Sequence, residues 1–332
     1  MIAASPPPAH KGALARRLAA ASPCSAATCA VRPTGQFDLY RFNLLDPMHT
    51  STIDLLLDYE VTHPAHFLFH IEAAFHDTHR TLEERLSVTP SMKVRTFSDE
   101  RSGNRFVRLD APKGVLSVSY HAKVEINARP PLLHLDESPV SALPDDVLRY
   151  LMPSRYCESD VMSRAAQQLF GHLPQGLSRV KAIESWLNTS IYYMPGFSNS
   201  TTTAQEVFVQ RAGVCRDFAH LGITLCRALN IPARLVVGYV YFEEPPQDFH
   251  AVFEAWLDNQ WVQFDGTKMA PLDRLVRVGT GRDAKDVAFA TIFGGVQMLR
   301  KELTVDEGDL PSLPSPPAVA QSMPPVLSLV TS

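Results

Sequence analysis

Basic charge, cysteine and long apolar runs are all scarce in this sequence of 332 residues. Lysine and arginine number 31 against 35 acidic residues, a net charge of -4, so the strongly basic face that nucleic acid needs is not expected. No apolar run approaches the roughly 18–20 residues that cross a bilayer, so we predict no membrane partner. The length allows two ordinary domains of roughly 100–200 residues each.

Only five cysteines occur, an odd and low number that argues against a disulfide framework. We therefore expect an intracellular, cytoplasmic protein. Cys24 and Cys29 have no further ligand in their segment except His10, and a structural metal needs about four. An Asp-rich calcium loop is also missing. We predict no metal and no other cofactor.

The first segment has no acidic residue before Asp38 and is rich in Ala, Ser and Pro. This composition fits a transit peptide or a crude export signal, but its apolar stretches are short and broken. We favour a disordered or non-native extension over residues 1–47. The Pro- and Ser-rich segment 301–332 has no period, and we predict a disordered tail there.

Between these ends the pattern predicts an α+β fold. Short β-branched and aromatic runs separated by turn residues favour a small antiparallel β domain over residues 48–128. Prolines mark residues 129–152 as a connector. Helical periodicity follows from Val161 to Phe170, from Ser178 to Asn188 and after Thr203, a good N-cap. We assign residues 153–300 to a second domain.

Cys215 lies at the start of a further predicted helix. Gly213 permits a sharp turn before it, and apolar residues recur at helical spacing from Phe218 to Leu229. Unpaired N–H groups at a helix N-terminus favour a thiolate and can donate to an oxyanion. Position alone would leave Cys215 as an ordinary buried cysteine, which is how we interpret Cys226.

A predicted β-hairpin downstream supplies partners for this thiol. Asp258-Asn259 suits a two-residue turn, and the resulting register pairs Val252 with Asp265. His250 and Asp265 are then diagonal neighbours on one face, roughly 7–8 Å apart, close enough for a hydrogen bond between their side chains. An imidazole can take the thiol proton while a carboxylate fixes its tautomer. The predicted catalytic residues are therefore Cys215, His250 and Asp265.

The motifs Gly213-Val-Cys-Arg-Asp-Phe-Ala-His220 and His250-Ala…Trp261…Asp265-Gly-Thr267 resemble the transglutaminase-like superfamily, with its papain-like core. The resemblance covers roughly Pro153–Gly294, and the preceding strands are similar to the β domain of bacterial members. It implies a cysteine nucleophile, a histidine base and an orienting aspartate at the three predicted positions. Val252 and Gly266 depart from the Trp and Pro of many relatives.

Several alternatives stay open at this point. His220 could be the base, although five residues along a helix turn it roughly 140° away from Cys215. Trp186, Tyr192 or Tyr193 could lend an oxyanion donor, but most such aromatics are core. Arg216 and Asp217 are expected to make local charge contacts at the start of the helix, and Glu254 to be solvated or hydrogen-bonded.

Three functions are compatible with these residues. A thioester on the cysteine can be resolved by water, giving an amide or peptide hydrolase, or by an amine, giving a protein-glutamine acyltransferase. A non-catalytic binding scaffold is the third. We favour the hydrolase acting on a peptide or protein, partly because Val252 would leave one wall of an amine tunnel thinner.

Overall fold

The computed structural model describes residues 49–127 and 134–308. The strands are β1 (His49–Val61), β2 (Ala65–Phe69), β3 (His79–Thr89), β4 (Val94–Ser98), β5 (Arg105–Ala111), β6 (Gly114–Ile126), β7 (Tyr192–Tyr193), β8 (Ala212–Gly213), β9 (Ala233–Tyr239), β10 (His250–Leu257), β11 (Gln260–Phe264), β12 (Val276–Gly281), β13 (Ala290–Phe293) and β14 (Val296–Asp306). The helices are α1 (Ser159–Phe170), α2 (Leu177–Ser190), α3 (Ala204–Gln210) and α4 (Cys215–Ala228).

Two antiparallel four-stranded sheets form the β domain, in the orders β14-β1-β6-β3 and β13-β2-β5-β4. Every second residue of β1 and β6 is buried, as expected for strands with one face toward a core. Side chains from both sheets, such as Leu57, Phe67 and Val118, share one apolar cluster. The predicted β domain is confirmed. Strand β4 was not predicted, because its mostly exposed side chains do not alternate between apolar and polar.

The second part of the chain packs helices against an antiparallel sheet of order β11-β10-β9-β12. Helix α4 lies on β10 and β9 and is surrounded by α1, α2 and α3. All its residues from Asp217 to Arg227 are buried, so it is the central helix of this core. The predicted α+β class is therefore confirmed, and no described helix has the length and apolarity required to cross a membrane.

The C-terminal strands correct our expected domain limits. Strand β14 pairs with β1 from Thr52↔Asp306 to Val61↔Val296, with a register shift between Asp58 and Tyr59. Our prediction placed residues 290–300 in the second domain and a tail from residue 301. Residues 301–306 are strand, and Leu303 and Val305 are buried in the β-domain core. The charged residues Arg300, Lys301 and Glu302 interrupt the alternation of apolar residues in β14, so the sequence pattern did not predict a strand there. The predicted extension over 1–47 and residues 309–332 lie outside the described residues.

Candidate active site

Cys215 is the first residue of α4. Val214 before it is extended, at φ -113° and ψ 179°, and Asp217 accepts a hydrogen bond from the Val214 N–H at 2.9 Å. An added Cβ at Gly213 would lie 2.7 Å from the Asp217 Cβ. Glycine is therefore needed at this position for the close approach of Asp217, whereas its φ is not positive and the backbone conformation by itself does not require glycine.

The segment before α4 is held by charge contacts, as predicted for Arg216 and Asp217. The Arg216 guanidinium donates to Asp217 at 2.8 Å and to the Asn199 carbonyl at 2.7 Å. Ser198 donates its hydroxyl to the same Asp217 carboxylate. Asp217 thus connects the loop that contains Ser198 and Asn199 to the first turn of α4, where Cys215 lies.

The hairpin register agrees with the prediction. Strands β10 and β11 pair Trp256 with Trp261 and Leu257 with Gln260, and the turn residues Asp258 and Asn259 have φ of 46° and 58°. His250, at the start of β10, lies 2.9 Å through its Nε2 from the Asp265 Oδ2. Both side chains are buried. Local sequence was sufficient here because a two-residue turn fixes the pairing of both strands.

The histidine also interacts with the Cys215 thiol. Cys215 is a hydrogen-bond partner of the His250 ring, whose Nε2 faces Asp265. Burial alone would lower the pKa of His250, but Asp265 and Cys215 together raise it to about 10. Burial opposes ionisation of Asp265, but His250 and Thr267 hold its pKa below the usual value. The structure therefore brings all three predicted residues together.

Of the three aromatic candidates, Tyr193 interacts with the thiol. Strand β7 pairs Tyr193 with Gly213, and its hydroxyl lies against the backbone N–H and side chain of Cys215. Burial raises the pKa of Tyr193. Trp186 instead stacks on Phe208, with ring centroids 5.8 Å apart, within the helical core.

His220 does not face the site. Its Nε2 accepts from the Ala284 N–H at 3.1 Å, and its ring stacks on Tyr156 at 5.0 Å. Burial lowers its pKa to about 4, so the ring is neutral at pH 7. The His220 side chain is therefore part of the buried packing between α4 and its neighbours, in agreement with the helical geometry that argued against it as the base.

The remaining described cysteines differ from Cys215 in exposure. Cys157 and Cys226 are buried, whereas Cys215 is only partly so. Burial raises the pKa of Cys157 to about 12 and raises that of Cys226 as well. Within residues 49–127 and 134–308, no group of three or more His, Cys, Asp or Glu side chains has the arrangement of a metal site.

Of two sequence expectations near the hairpin, one is confirmed and one needs correction. Glu254 is hydrogen-bonded, the second of its two predicted alternatives: it is fully buried, and Arg277 and Arg234 both bind its carboxylate and lower its pKa despite the burial. Val252 packs in a small apolar cluster with Val236, Val240 and Phe242, so it does not form a wall of an open groove. Both positions depend on strands distant in sequence, which local patterns do not report.

Comparison with known proteins agrees with this arrangement. A model of the transglutaminase-like superfamily matches residues 163–266, and a model of the bacterial transglutaminase N-terminal domain matches residues 52–137. The chain belongs to the transglutaminase-like superfamily. The first match contains Cys215, His250 and Asp265, and the second covers most of the β domain.

Relatives of this transglutaminase-like protein include a solved structure from Cytophaga hutchinsonii, provisionally named a cysteine protease. It is 39% identical, with a TM-score of 0.75, over 81% of this chain and 94% of that one. An uncharacterized Mycobacterium leprae protein is 28% identical over 54% of this chain and 68% of its own length. One from Mycobacterium tuberculosis is 26% identical, over 63% and 74%.

Proposed function

We propose that this protein is a cysteine hydrolase that cleaves an amide or peptide bond in a peptide or protein substrate. The observation that carries the proposal is the His250 ring, which interacts with Cys215 and whose Nε2 lies 2.9 Å from the Asp265 carboxylate. The provisional name of the Cytophaga hutchinsonii relative supports the same reaction class. A cytoplasmic location stays a prediction.

The proposed reaction has two halves. The Cys215 sulfur attacks the amide carbon, His250 holds the thiol proton, and the backbone N–H groups at the start of α4 stabilise the oxyanion. His250 then gives its proton to the leaving amine as the C–N bond breaks, which leaves a thioester on Cys215. Water attacks the thioester carbon and His250 takes its proton. When the C–S bond breaks, the acid is released and the proton returns to the sulfur.

Acyl transfer to an amine is the second candidate, because a thioester accepts either nucleophile. The hydrolase proposal no longer relies on Val252, since that side chain is part of an interior cluster. It relies instead on the named relative and on the partial exposure of Cys215, which gives water access to the acyl group.

A thiol-directed activity probe, followed by a peptide-library screen with and without a millimolar primary amine, tests the proposal. We expect Cys215-dependent labelling and release of free acid and free amine even when the added amine is present. Cys215→Ala should abolish both, whereas Cys157→Ala should retain the labelling of Cys215. Stable incorporation of the amine would show that the reaction is acyl transfer to an amine and not hydrolysis. Labelling that does not depend on Cys215 would favour a non-catalytic scaffold.

A further inference from the structure

Asp265 is the first residue after β11, so its backbone lies outside the hydrogen-bonded sheet. The last cross-strand pair of the hairpin is Phe253↔Phe264, and β11 ends at Phe264. The Asp265 N–H therefore has no partner in the β10–β11 ladder, although the residue is 2% exposed. A buried N–H requires another acceptor, and a freely rotating aspartate could not hold His250 in one orientation.

Helix α2 provides that acceptor. The Glu184 Oε1 accepts the hydrogen bond from the Asp265 N–H at 2.9 Å. One turn further along the same face, the Asn188 Nδ2 donates to the Thr267 carbonyl at 3.0 Å. Residues four apart on a helix are neighbours, so Glu184 and Asn188 together hold the segment from Asp265 to Thr267.

The side chain of Asp265 is fixed within the same segment. Its Oδ1 accepts hydrogen bonds from the Thr267 N–H at 2.8 Å and from the Thr267 hydroxyl at 2.7 Å, which leaves Oδ2 for His250. The Asn188 bond to the Thr267 carbonyl therefore acts on the residue that orients the carboxylate. Through these contacts α2 determines where Oδ2 points.

Gly266 explains how α2 comes so close. An added Cβ at Gly266 would lie 3.0 Å from the Leu187 Cδ1 and 3.1 Å from the Leu187 Cβ. Leu187 lies on the face of α2 that includes Glu184 and Asn188, and it is buried. A side chain at position 266 would move the helix or the turn by a few tenths of an ångström and lengthen both hydrogen bonds.

We propose that Glu184 and Asn188 are positioning residues of the active site, which set the orientation of Asp265 and, through it, of His250. This inference rests on the proposed function of the Cys215 site and adds two residues to its machinery. Neither residue touches the reacting atoms, so their effect passes through the Asp265–Thr267 segment.

The charged groups around Glu184 are relevant to the choice of variants. Burial raises the pKa of the Glu184 carboxyl, and the negative charge of the Asp265 carboxylate raises it further. The hydrogen bond from the Asp265 N–H and the positive charges of Lys268 and Lys181 lower it. Glutamine at position 184 keeps an oxygen acceptor without the charge, whereas leucine removes the acceptor. The pair of variants therefore separates hydrogen bonding from charge.

The test compares Glu184→Gln, Glu184→Leu and Asn188→Leu with Ser185→Ala, an exposed position on the same helix. Two readouts need no substrate: the rate of Cys215 alkylation by iodoacetamide from pH 5 to pH 9, and the titration of His250 followed by NMR. Once a substrate is known, kcat and KM complete the comparison.

We expect both leucine variants to lower the pKa of His250 and to reduce kcat about 10- to 100-fold, with KM little changed, because orientation of the catalytic groups is lost. Glu184→Gln should stay within about threefold of the parent and of Ser185→Ala, since it keeps the acceptor. An unchanged His250 titration in folded Glu184→Leu or Asn188→Leu would overturn the proposal. Equal losses in Glu184→Gln and Glu184→Leu would overturn the hydrogen-bond role.

Failure of this inference can be distinguished from failure of the proposed function. If Cys215 of the parent protein shows no preferential alkylation at pH 6, the nucleophile assignment itself is wrong. If the parent is reactive and the leucine variants keep the same pH profile, only the role of α2 is wrong. If Glu184→Leu does not fold, Asn188→Leu decides the question because it leaves the Glu184 bond in place.

Discussion

At the scale of single residues, the charge of His250 controls the proposed chemistry. Its pKa is raised to about 10 against the effect of burial, because Asp265 and Cys215 both stabilise the imidazolium. A charged ring at pH 7 can give its proton to a leaving amine. In the proposed reaction the aspartate fixes the tautomer and orientation of the ring and does not itself react.

The two partners of Cys215 should therefore respond differently to substitution. His250→Ala should abolish turnover, because the proton acceptor is lost. Asp265→Asn should reduce kcat by about 10⁴-fold while the protein stays folded, as expected when only tautomer and orientation are lost. Steady-state kinetics and circular dichroism measure the two effects. His220→Ala serves as the histidine control, and inactivation by that change alone would show that the base is misassigned.

At the scale of elements, strand β14 of the β domain supports the loop that leads to His250. The Gln247 Oε1 accepts from the Val305 N–H at 2.6 Å, and its Nε2 donates to the Val305 carbonyl at 3.4 Å. The next residue, Asp248, pairs with Lys301 of the same strand. Phe249 then stacks on Phe289 at 5.1 Å and presents its carbonyl 3.8 Å from the Cys215 sulfur.

Loss of the Gln247 contact should loosen this loop. Gln247→Ala should speed amide hydrogen exchange over residues 243–249 and destabilise the fold by about 1 kcal/mol, the usual net contribution of such hydrogen bonds. Hydrogen–deuterium exchange and urea unfolding measure the two effects. Gln297→Ala, at an exposed position of β14, is the matched control. Identical exchange in both variants would mean that β14 does not restrain the loop.

At the scale of the whole molecule, buried histidines make stability depend on pH in opposite directions. Burial lowers the pKa of His70 and of His220 to about 4, so the folded chain binds fewer protons there than the unfolded chain between pH 4 and 6.5. Their contribution is fully present above pH 6.5 and is lost as the pH falls toward 4. His250, with its pKa raised to about 10, contributes below pH 6.5, and that contribution is lost as the pH rises through 10.

The free energy of unfolding should consequently be largest near pH 6.5. On the acid side His70 and His220 should each add a slope of about 1.4 kcal/mol per pH unit. Urea unfolding at pH 5, 6.5 and 8.5 measures this. His70→Phe should reduce the acid-side slope by the contribution of about one proton. Asp265→Asn should make the free energy of unfolding depend less on pH on the alkaline side. Unaltered slopes in both variants would contradict the assignment to these groups.

Elements whose contacts are local could be predicted from the amino-acid sequence alone. The helical period and the first residue of α4, the N-cap Thr203 of α3 and the turn at Asp258-Asn259 are all set by neighbours in the chain. The hairpin then placed His250 beside Asp265, because pairing from a two-residue turn fixes the register of both strands. Three residues of the candidate site were therefore predictable.

The surroundings of these three residues depend instead on tertiary contacts. The return of β14 to β1, the contact of Gln247 with Val305 and that of Glu184 with Asp265 join segments from about 60 to 250 residues apart in sequence. The burial of Val252 and the Arg277–Glu254 pair also depend on side chains of other strands, although these strands lie nearer in sequence. Such contacts leave no local period, because each depends on the shape and hydrogen-bonding groups of a partner from elsewhere in the chain.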